Sequence, residues 1–398
     1  MDETQTNHLK AYGVAYWVLS KDEPIEWMLN YKGGSFLMPA LSGVENELLI
    51  RGVSYEVISD ADAARLAKEI SSPNSNMDMM RLETVPKIAV YSPKTKMPWD
   101  DAVTLALTYA EIPYDVVYDD EIMYDELSTY DWLHLHHEDF TGQYGKFYQA
   151  YKNYSWYIQQ QKDYEASAQK HGFAKVSQLK LAIAQKIRTF VAGGGFLFAM
   201  CSATDTFDIA LAANGQDIIE SMYDGDPANP SAFNNLDYGQ TLAFGNFQIK
   251  KDPNEYEYSD IDNTDARRQR SLNESNDYFK LFKFSAKWDP VPTMLTQNHT
   301  RLIKGFYGQT TAFKKATVKA DVISLGETQA ANEDKYIHGV FGKGFWTFYG
   351  GHDPEDYQHR VGEEPTDLNL YPNSPGYRLI LNNILFPAAK KKKRKTIP

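Results

Sequence analysis

The run Gly193-Gly194-Gly195-Phe196-Leu197-Phe198-Ala199-Met200-Cys201-Ser202-Ala203 puts the chain's one cysteine at the end of its most strand-like segment, among small residues. A strand that feeds a tight turn into a helix lifts the turn residue above the sheet's carboxyl edge, and crowding there selects small neighbours. A thiol so placed sits at the amino end of the next helix, where backbone N–H groups and the helix dipole favour thiolate. Those N–H groups, Ser202 nearest, can also hold the oxyanion of a tetrahedral intermediate. A nucleophilic thiol needs an imidazole to take its proton and a carboxylate to orient that imidazole. Gly350-Gly351-His352-Asp353-Pro354-Glu355 supplies both directly after the apolar run Phe345–Tyr349. If that run is a strand, His352 leaves its carboxyl end at the edge that carries Cys201. Asp353 and Glu355 compete for the carboxylate role. The plainer reading makes Cys201 a small hydrophobe ending a buried strand and His352 a turn histidine.

A second cluster, His134-Leu135-His136-His137-Glu138-Asp139, follows another strand-like run. In a strand His134 and His136 share one face and His137 points oppositely, so at most two imidazoles and one carboxylate converge. That is enough for zinc or iron, but nothing in the spacing fixes their geometry. No metal and no cofactor is assigned.

The elements that must position these groups alternate. Lys87–Tyr91, Tyr114–Tyr118 and Trp132–His136 read as strands. Val103, Ala106, Leu107 and Ala110 form one helical face between the first two, and Glu121–Leu127 fits a short helix. This β-α-β-α-β order predicts a parallel sheet with right-handed crossovers. A helix capped by Ser177 carries Leu181, Ala184, Ile187 and Val191 and stops at Gly193–Gly195. Val318–Leu325 and Phe345–Tyr349 are further strands, and Leu379, Ile380, Asn383 and Ile384 mark a closing helix. Aromatic-rich residues 143–165 read as a helical insertion over the sheet's end, and 215–276 as an irregular one.

Residues 1–80 read as a strand-rich unit docked on the main domain, which spans 85–389. Its apolar runs are Tyr12–Leu19 and Ile25–Tyr31, with a helix at Asp60–Ile70 and a polar linker at 71–76. Residues 390–398 form a basic tail. Elsewhere acid prevails: 41 basic against 53 acidic side chains give a net charge of −12, which argues against nucleic acid as a partner. One cysteine rules out an intramolecular disulfide and any multi-cysteine cluster. No apolar stretch approaches a membrane span, and the acidic Met1-Asp2-Glu3-Thr4 start leads to the expectation of a cytoplasmic protein with no membrane partner, unless that start is a processed end.

The strand-helix order, the cysteine elbow after the fourth strand, the late Gly350-Gly351-His352 and the closing Gly376–Phe386 segment together resemble class I glutamine amidotransferase-like proteins over residues 85–389. Gly351-His352-Asp353-Pro354 before such a helix is similar to the trehalose-utilisation and biotin-ligase-N-terminal-like branches. The resemblance implies a flavodoxin-like α/β fold and glutaminase-type hydrolysis, with Cys201 as nucleophile, His352 as base and Glu355 as orienting acid. It also implies that the loop after the third strand borders the pocket through His137 and Glu138, with Thr141 and Gly142 as oxyanion donors. The chain departs from the family at Ala199 and Ala203, where glycines are usual, and in the three-residue step from His352 to Glu355. No P-loop, dinucleotide turn or pyrophosphatase loop is present, so any ammonia acceptor would be a partner synthetase. Two functions follow as expectations. One is a cysteine hydrolase of glutamine or another amide; the other is a non-catalytic binder of a carbohydrate or small molecule, or a scaffold. A homo-oligomer is compatible with either.

Overall fold

The computed structural model describes residues 1–94, 98–135 and 137–389. His136 and the basic run of the tail lie outside them. A small antiparallel sheet comes first, with β1 (Ile25–Leu29) between β2 (Ser35–Leu37) and β3 (Asp78–Leu82). The large sheet follows: β4 (Ile88–Tyr91), β5 (Asp115–Val117), β6 (Trp132–Leu135), β7 (Phe196–Met200), β8 (Tyr278–Leu281), β9 (Leu302–Lys304), β10 (Phe313–Lys314), β11 (Ile323–Thr328), β12 (Glu333–Phe341) and β13 (Gly344–Tyr349). Its order is β5-β4-β6-β7-β13-β12-β11-β8-β9, with β10 on β12.

The first five strands of that order run parallel. Numbered along the chain they read 2-1-3-4-5, the flavodoxin-like arrangement. The other half is antiparallel, because β12 returns into β13 through only Gly342-Lys343, too short for a parallel crossover. The sheet is therefore mixed, not parallel throughout. Side chains of β4, β6 and β7 alternate between two apolar cores. Ile88, Val90, Trp132, Phe196 and Phe198 face one, and Ala89, Tyr91, Leu133, Leu135 and Leu197 the other. Helices Ala102–Ala110 and Pro375–Leu385 cover the first face, Val176–Gly193 and Ser202–Ala212 the second.

Several sequence expectations need correcting. Tyr12–Leu19 belongs to a helix, His8–Leu19, capped by the Asn7 side chain accepting from Lys10 N–H at 2.9 Å. That helix packs against Ala102–Ala110 and Pro375–Leu385 and is buried on almost every side. Gly13 permits the approach: a Cβ there would sit 1.8 Å from the Ala110 carbonyl oxygen. The helix Val176–Gly193 takes Lys175 as its N-cap, which leaves Ser177 inside the first turn. The strand expected from Val318 starts at Ile323, and the nine-residue β12 has no counterpart in the sequence reading. The 71–76 segment is tethered, since the Asn76 side chain bonds the backbone of Phe284 and Ala286. Among the described residues, no helix is long and apolar enough to cross a membrane.

Candidate functional site

Four parallel strands deliver their carboxyl ends to one place. Asp100 follows β4, His137 follows β6, Cys201 follows β7 and His352 follows β13. Pairing of Tyr349 with Met200 sets the last two side by side, and Cys201 N–H donates to the Gly351 carbonyl at 3.2 Å. Gly351 itself has φ +91°, and a Cβ there would strike Phe306 and the Lys335 amine. Cys201 turns the chain from strand to helix with φ 54° and ψ −142°, a strained conformation for a residue with a side chain. The turn is held by Thr204, whose hydroxyl donates to the Cys201 carbonyl at 2.7 Å, and by Ser202, whose hydroxyl donates to the His137 carbonyl at 3.1 Å.

Side-chain donor atoms of Cys201, His352 and His137 all lie within 4.8 Å of one another. The imidazoles form a stack: His137 on His352, and His352 on His359, each pair with centroids 4.1 Å apart. Asp100 Oδ1 lies 3.6 Å from His352 Nε2 and 3.1 Å from His359 Nε2. Its backbone carbonyl accepts from His137 Nε2 at 2.8 Å, so one residue organises all three rings. Asp100 is in turn fixed by its neighbour, since Asp101 caps the Ala102–Ala110 helix and meets His134 Nε2 at 2.8 Å.

Charge at the site follows from these contacts. Burial pushes the Cys201 thiol up, but His352 and the N–H groups of Gln309 and Ser202 outweigh it and hold the thiol below its ordinary value. Gln309 N–H donates to Cys201 Sγ at 3.3 Å. Burial disfavours the His352 imidazolium, yet Asp100 and Cys201 raise it to about 10. Burial likewise opposes ionisation of Asp100, and His352 with His359 reverses it, leaving Asp100 lowered. The arrangement favours a thiolate–imidazolium pair backed by a carboxylate.

The other residues singled out in the sequence lie apart from the thiol. Glu355 has its carboxyl on the Ser374 hydroxyl. Asp353 accepts Glu355 N–H at 2.8 Å and Tyr377 O–H at 2.7 Å, which ties down the turn after β13. The carboxylate beside His352 is thus Asp100, not Glu355. Thr141 spends both its N–H and its hydroxyl on Asp139, and Gly142 lies against Ser177. The N–H groups at the sulfur belong to Gln309 and Ser202. Glu138 is buried with Lys180 and Tyr164. His134 is held inside the sheet by Asp101 and the Phe198 carbonyl. His137, Cys201 and His352 are also a possible ligand set for a metal. Their two imidazoles stack with 25° between the ring planes, and a second such set, Asp100, His352 and His359, shares His352 with the first.

Cys201 is 5% exposed. The Gln309 side chain donates to the Gly145 carbonyl at 2.6 Å, and Tyr256 lies close enough to the thiol to feel its charge. A void of about 10 Å³ beside His137, bounded by Trp99, Gly145, Phe147 and Gln160, has room for roughly one water. A cavity of about 460 Å³ between helices Val176–Gly193 and Ser202–Ala212 is lined by Thr141, Ser177 and Ala210 and does not include the thiol.

No family model and no curated protein matches the chain. Among solved structures it is similar to Cytoplasmic Protein STM3548 from Salmonella typhimurium (11% identity, TM-score 0.36, covering 77% of this chain and 100% of that one). It is also similar to Cytoplasmic Protein STM1381 from Salmonella typhimurium LT2 (12% identity, TM-score 0.37, 76% and 100%). A third likeness is to Gan42B, a GH42 beta-galactosidase (11% identity, TM-score 0.30), covering 68% of this chain and 28% of that one.

Proposed function

We propose that the protein is a cysteine-dependent hydrolase of an amide or related acyl bond, in the manner of the class I glutamine amidotransferase-like proteins it resembles. The observation that carries this reading is the elbow: a cysteine at positive φ, starting a helix, with an imidazole and two backbone N–H groups at its sulfur. A purely structural cysteine gains nothing from that strain, whereas a nucleophile is presented by it.

In the proposed reaction Cys201 Sγ attacks the carbonyl carbon, forming the C–S bond while the carbonyl π electrons move to oxygen. Gln309 and Ser202 N–H groups, now on the thiolate, are within reach of that oxyanion. Collapse breaks the C–N bond, and His352 gives its proton to the leaving nitrogen. Water then attacks the thioester, with His352 taking its proton, and the acid and the free thiol are released. Asp100 keeps His352 oriented and charged through the first half. Because the thiol is 5% exposed, substrate entry requires movement of residues beside it, Tyr256 among them.

The experiment is kinetic. Chloroacetamide and a glutamine-analogue chloroketone should label Cys201 faster than they label a free thiol at neutral pH, and a Cys201→Ser variant should lose amide hydrolysis. Labelling slower than that of a free thiol would overturn the mechanism and leave the binding-protein reading.

A further inference from the structure

Behind the imidazole that serves the thiol stands another that the proposed hydrolysis leaves idle. His359 lies on the segment after β13, and Gly362 N–H of that segment donates to the Pro98 carbonyl at 2.7 Å, which ties it to the loop carrying Asp100. Asp100 Oδ1 is 3.1 Å from His359 Nε2 and 3.6 Å from His352 Nε2. Neither contact has the direction of a hydrogen bond. Asp100 Oδ1 and Oδ2, His352 Nε2 and His359 Nε2 are all shut off from solvent, and none has a hydrogen-bond partner among the described residues. The side chains of Asp100, His352 and His359 are 8%, 7% and 7% exposed.

Buried polar atoms left unsatisfied destabilise a fold, and a group of them in one place points to a ligand that completes them. Their type and spacing say which. Two imidazole nitrogens and a carboxylate oxygen suit zinc and neighbouring first-row divalent cations, whereas magnesium and calcium take oxygen ligands throughout. Ligand atoms at zinc's bond lengths in a tetrahedral arrangement lie about 3.3–3.5 Å apart, and the two contacts of Asp100 Oδ1 bracket that spacing. His359 is also oriented for the role. Its Nδ1–H donates to Asp356 Oδ2 at 3.0 Å, which leaves the lone pair on Nε2, the nitrogen beside Asp100. A carboxylate behind the ring holds a metal-ligating histidine in the same way.

We infer that Asp100, His352 and His359 form a site for a divalent cation of zinc's class, and that filling it withdraws His352 from Cys201. The rings of His352 and His359 stack with 18° between their planes, so an ion lying in both planes draws one ring out of the stack. Asp356 pins His359, and the ring that turns is His352. As the metal takes the His352 nitrogen, the proton that nitrogen carried leaves to solvent, and the thiol loses the partner that keeps it ionised. The site itself does not depend on the hydrolase reading; its effect on the thiol rests on that reading.

The test strips the full chain with EDTA and measures zinc affinity by competition with a chromophoric chelator. Cys201→Ala should bind zinc within about threefold of wild type. Asp356→Asn should weaken binding by about tenfold, as loss of an outer partner does, and His359→Asn, which removes a ligand, by more than about a hundredfold. Zinc should raise the melting temperature of wild type and of Cys201→Ala, and equimolar magnesium should not. Binding lost in Cys201→Ala makes the thiol the ligand and overturns the site, as does binding kept in both His359→Asn and Asp356→Asn. On wild type, stoichiometric zinc should slow alkylation of Cys201 by bromoacetamide about tenfold or more, and EDTA should restore it. An unchanged rate with zinc bound overturns the withdrawal of His352. If metal-free Cys201 is alkylated no faster than N-acetylcysteine, the hydrolase reading fails, and the zinc affinities alone then decide the site.

Discussion

Replacing Asp100 with asparagine tests the electrostatic core of the site with little change in shape. His352 is raised from 6.5 to about 10, which corresponds to about 5 kcal/mol in favour of the imidazolium, and this is what remains after burial has opposed it. A carboxylate oxygen 3.6 Å from the ring nitrogen supplies about 5 kcal/mol at an effective dielectric constant near 20, so Asp100 is large enough to account for half or more of the total with Cys201 supplying the rest. Taking half, loss of the charge removes about 2.5 kcal/mol and brings the His352 titration down by about two pH units, to roughly 8. The assay is imidazole nitrogen NMR on histidine-labelled protein, with the His352 signal identified by its loss in His352→Asn, alongside the ultraviolet absorbance of the thiolate. The thiolate onset should move to higher pH in the same variant. The sign for stability follows: a group raised on folding contributes fully below pH 6.5 and loses its contribution as pH rises through about 10. The deficit of Asp100→Asn should therefore be largest in mildly acidic solution and fade toward pH 10. A His352 midpoint that stays within about half a pH unit of wild type would refute the assignment of Asp100 as the orienting carboxylate.

Glu355→Gln should leave both the His352 titration and Cys201 alkylation close to wild type, because the Glu355 carboxyl is spent on Ser374; a loss comparable to that of Asp100→Asn would restore Glu355 to the triad. Cys201→Gly should melt above Cys201→Ala by the equivalent of about 1–2 kcal/mol, since glycine alone relieves the positive φ of the elbow; equal melting points would show the turn to be unstrained. Asp205, raised from 3.8 to about 7, costs stability progressively as pH climbs from 3.8 to about 7 and by a constant amount above that, so Asp205→Asn should stabilise the protein at pH 8, by at most about 4 kcal/mol, and not at pH 4, as read by urea unfolding at the two pH values. Residues 83–389 expressed alone should aggregate, because removing the His8–Leu19 helix bares apolar surface on Ala102–Ala110 and Pro375–Leu385; a monodisperse truncation with an unchanged melting temperature would contradict that.

Periodicity made the central elements legible and failed where burial is total. β4, β6 and β7 sit between turn signals and alternate with helices that keep one polar face, so length and pattern both speak for them. The His8–Leu19 helix has no polar face to reveal its period, because helices flank it and the sheet lies beneath; a run apolar on all sides reads equally well as a strand. Its one local clue was Asn7, a good N-cap residue in front of the run. β12 was missed for the opposite reason, since Glu333, Asp334 and Lys335 begin it. Those charges are buried against partners far along the chain, Arg267 for Glu333 and the carbonyls of Phe306 and Thr311 for Lys335, and no window of local sequence contains them.

The same distinction separates the parts of the site. Cys201 and His352 were readable because each closes a strand with small residues around it, a local signature of a crowded, strained turn. The carboxylate is not legible from local sequence: Glu355 is three residues from His352 in sequence, while Asp100 is brought to it from a loop on the far side of β6 and β7 by the strand order alone. Parallel topology contains the remedy. In a sheet ordered 2-1-3-4-5 the carboxyl ends of the first and third strands flank the switch point, so a carboxylate just after β4 ranks ahead of one just after the histidine.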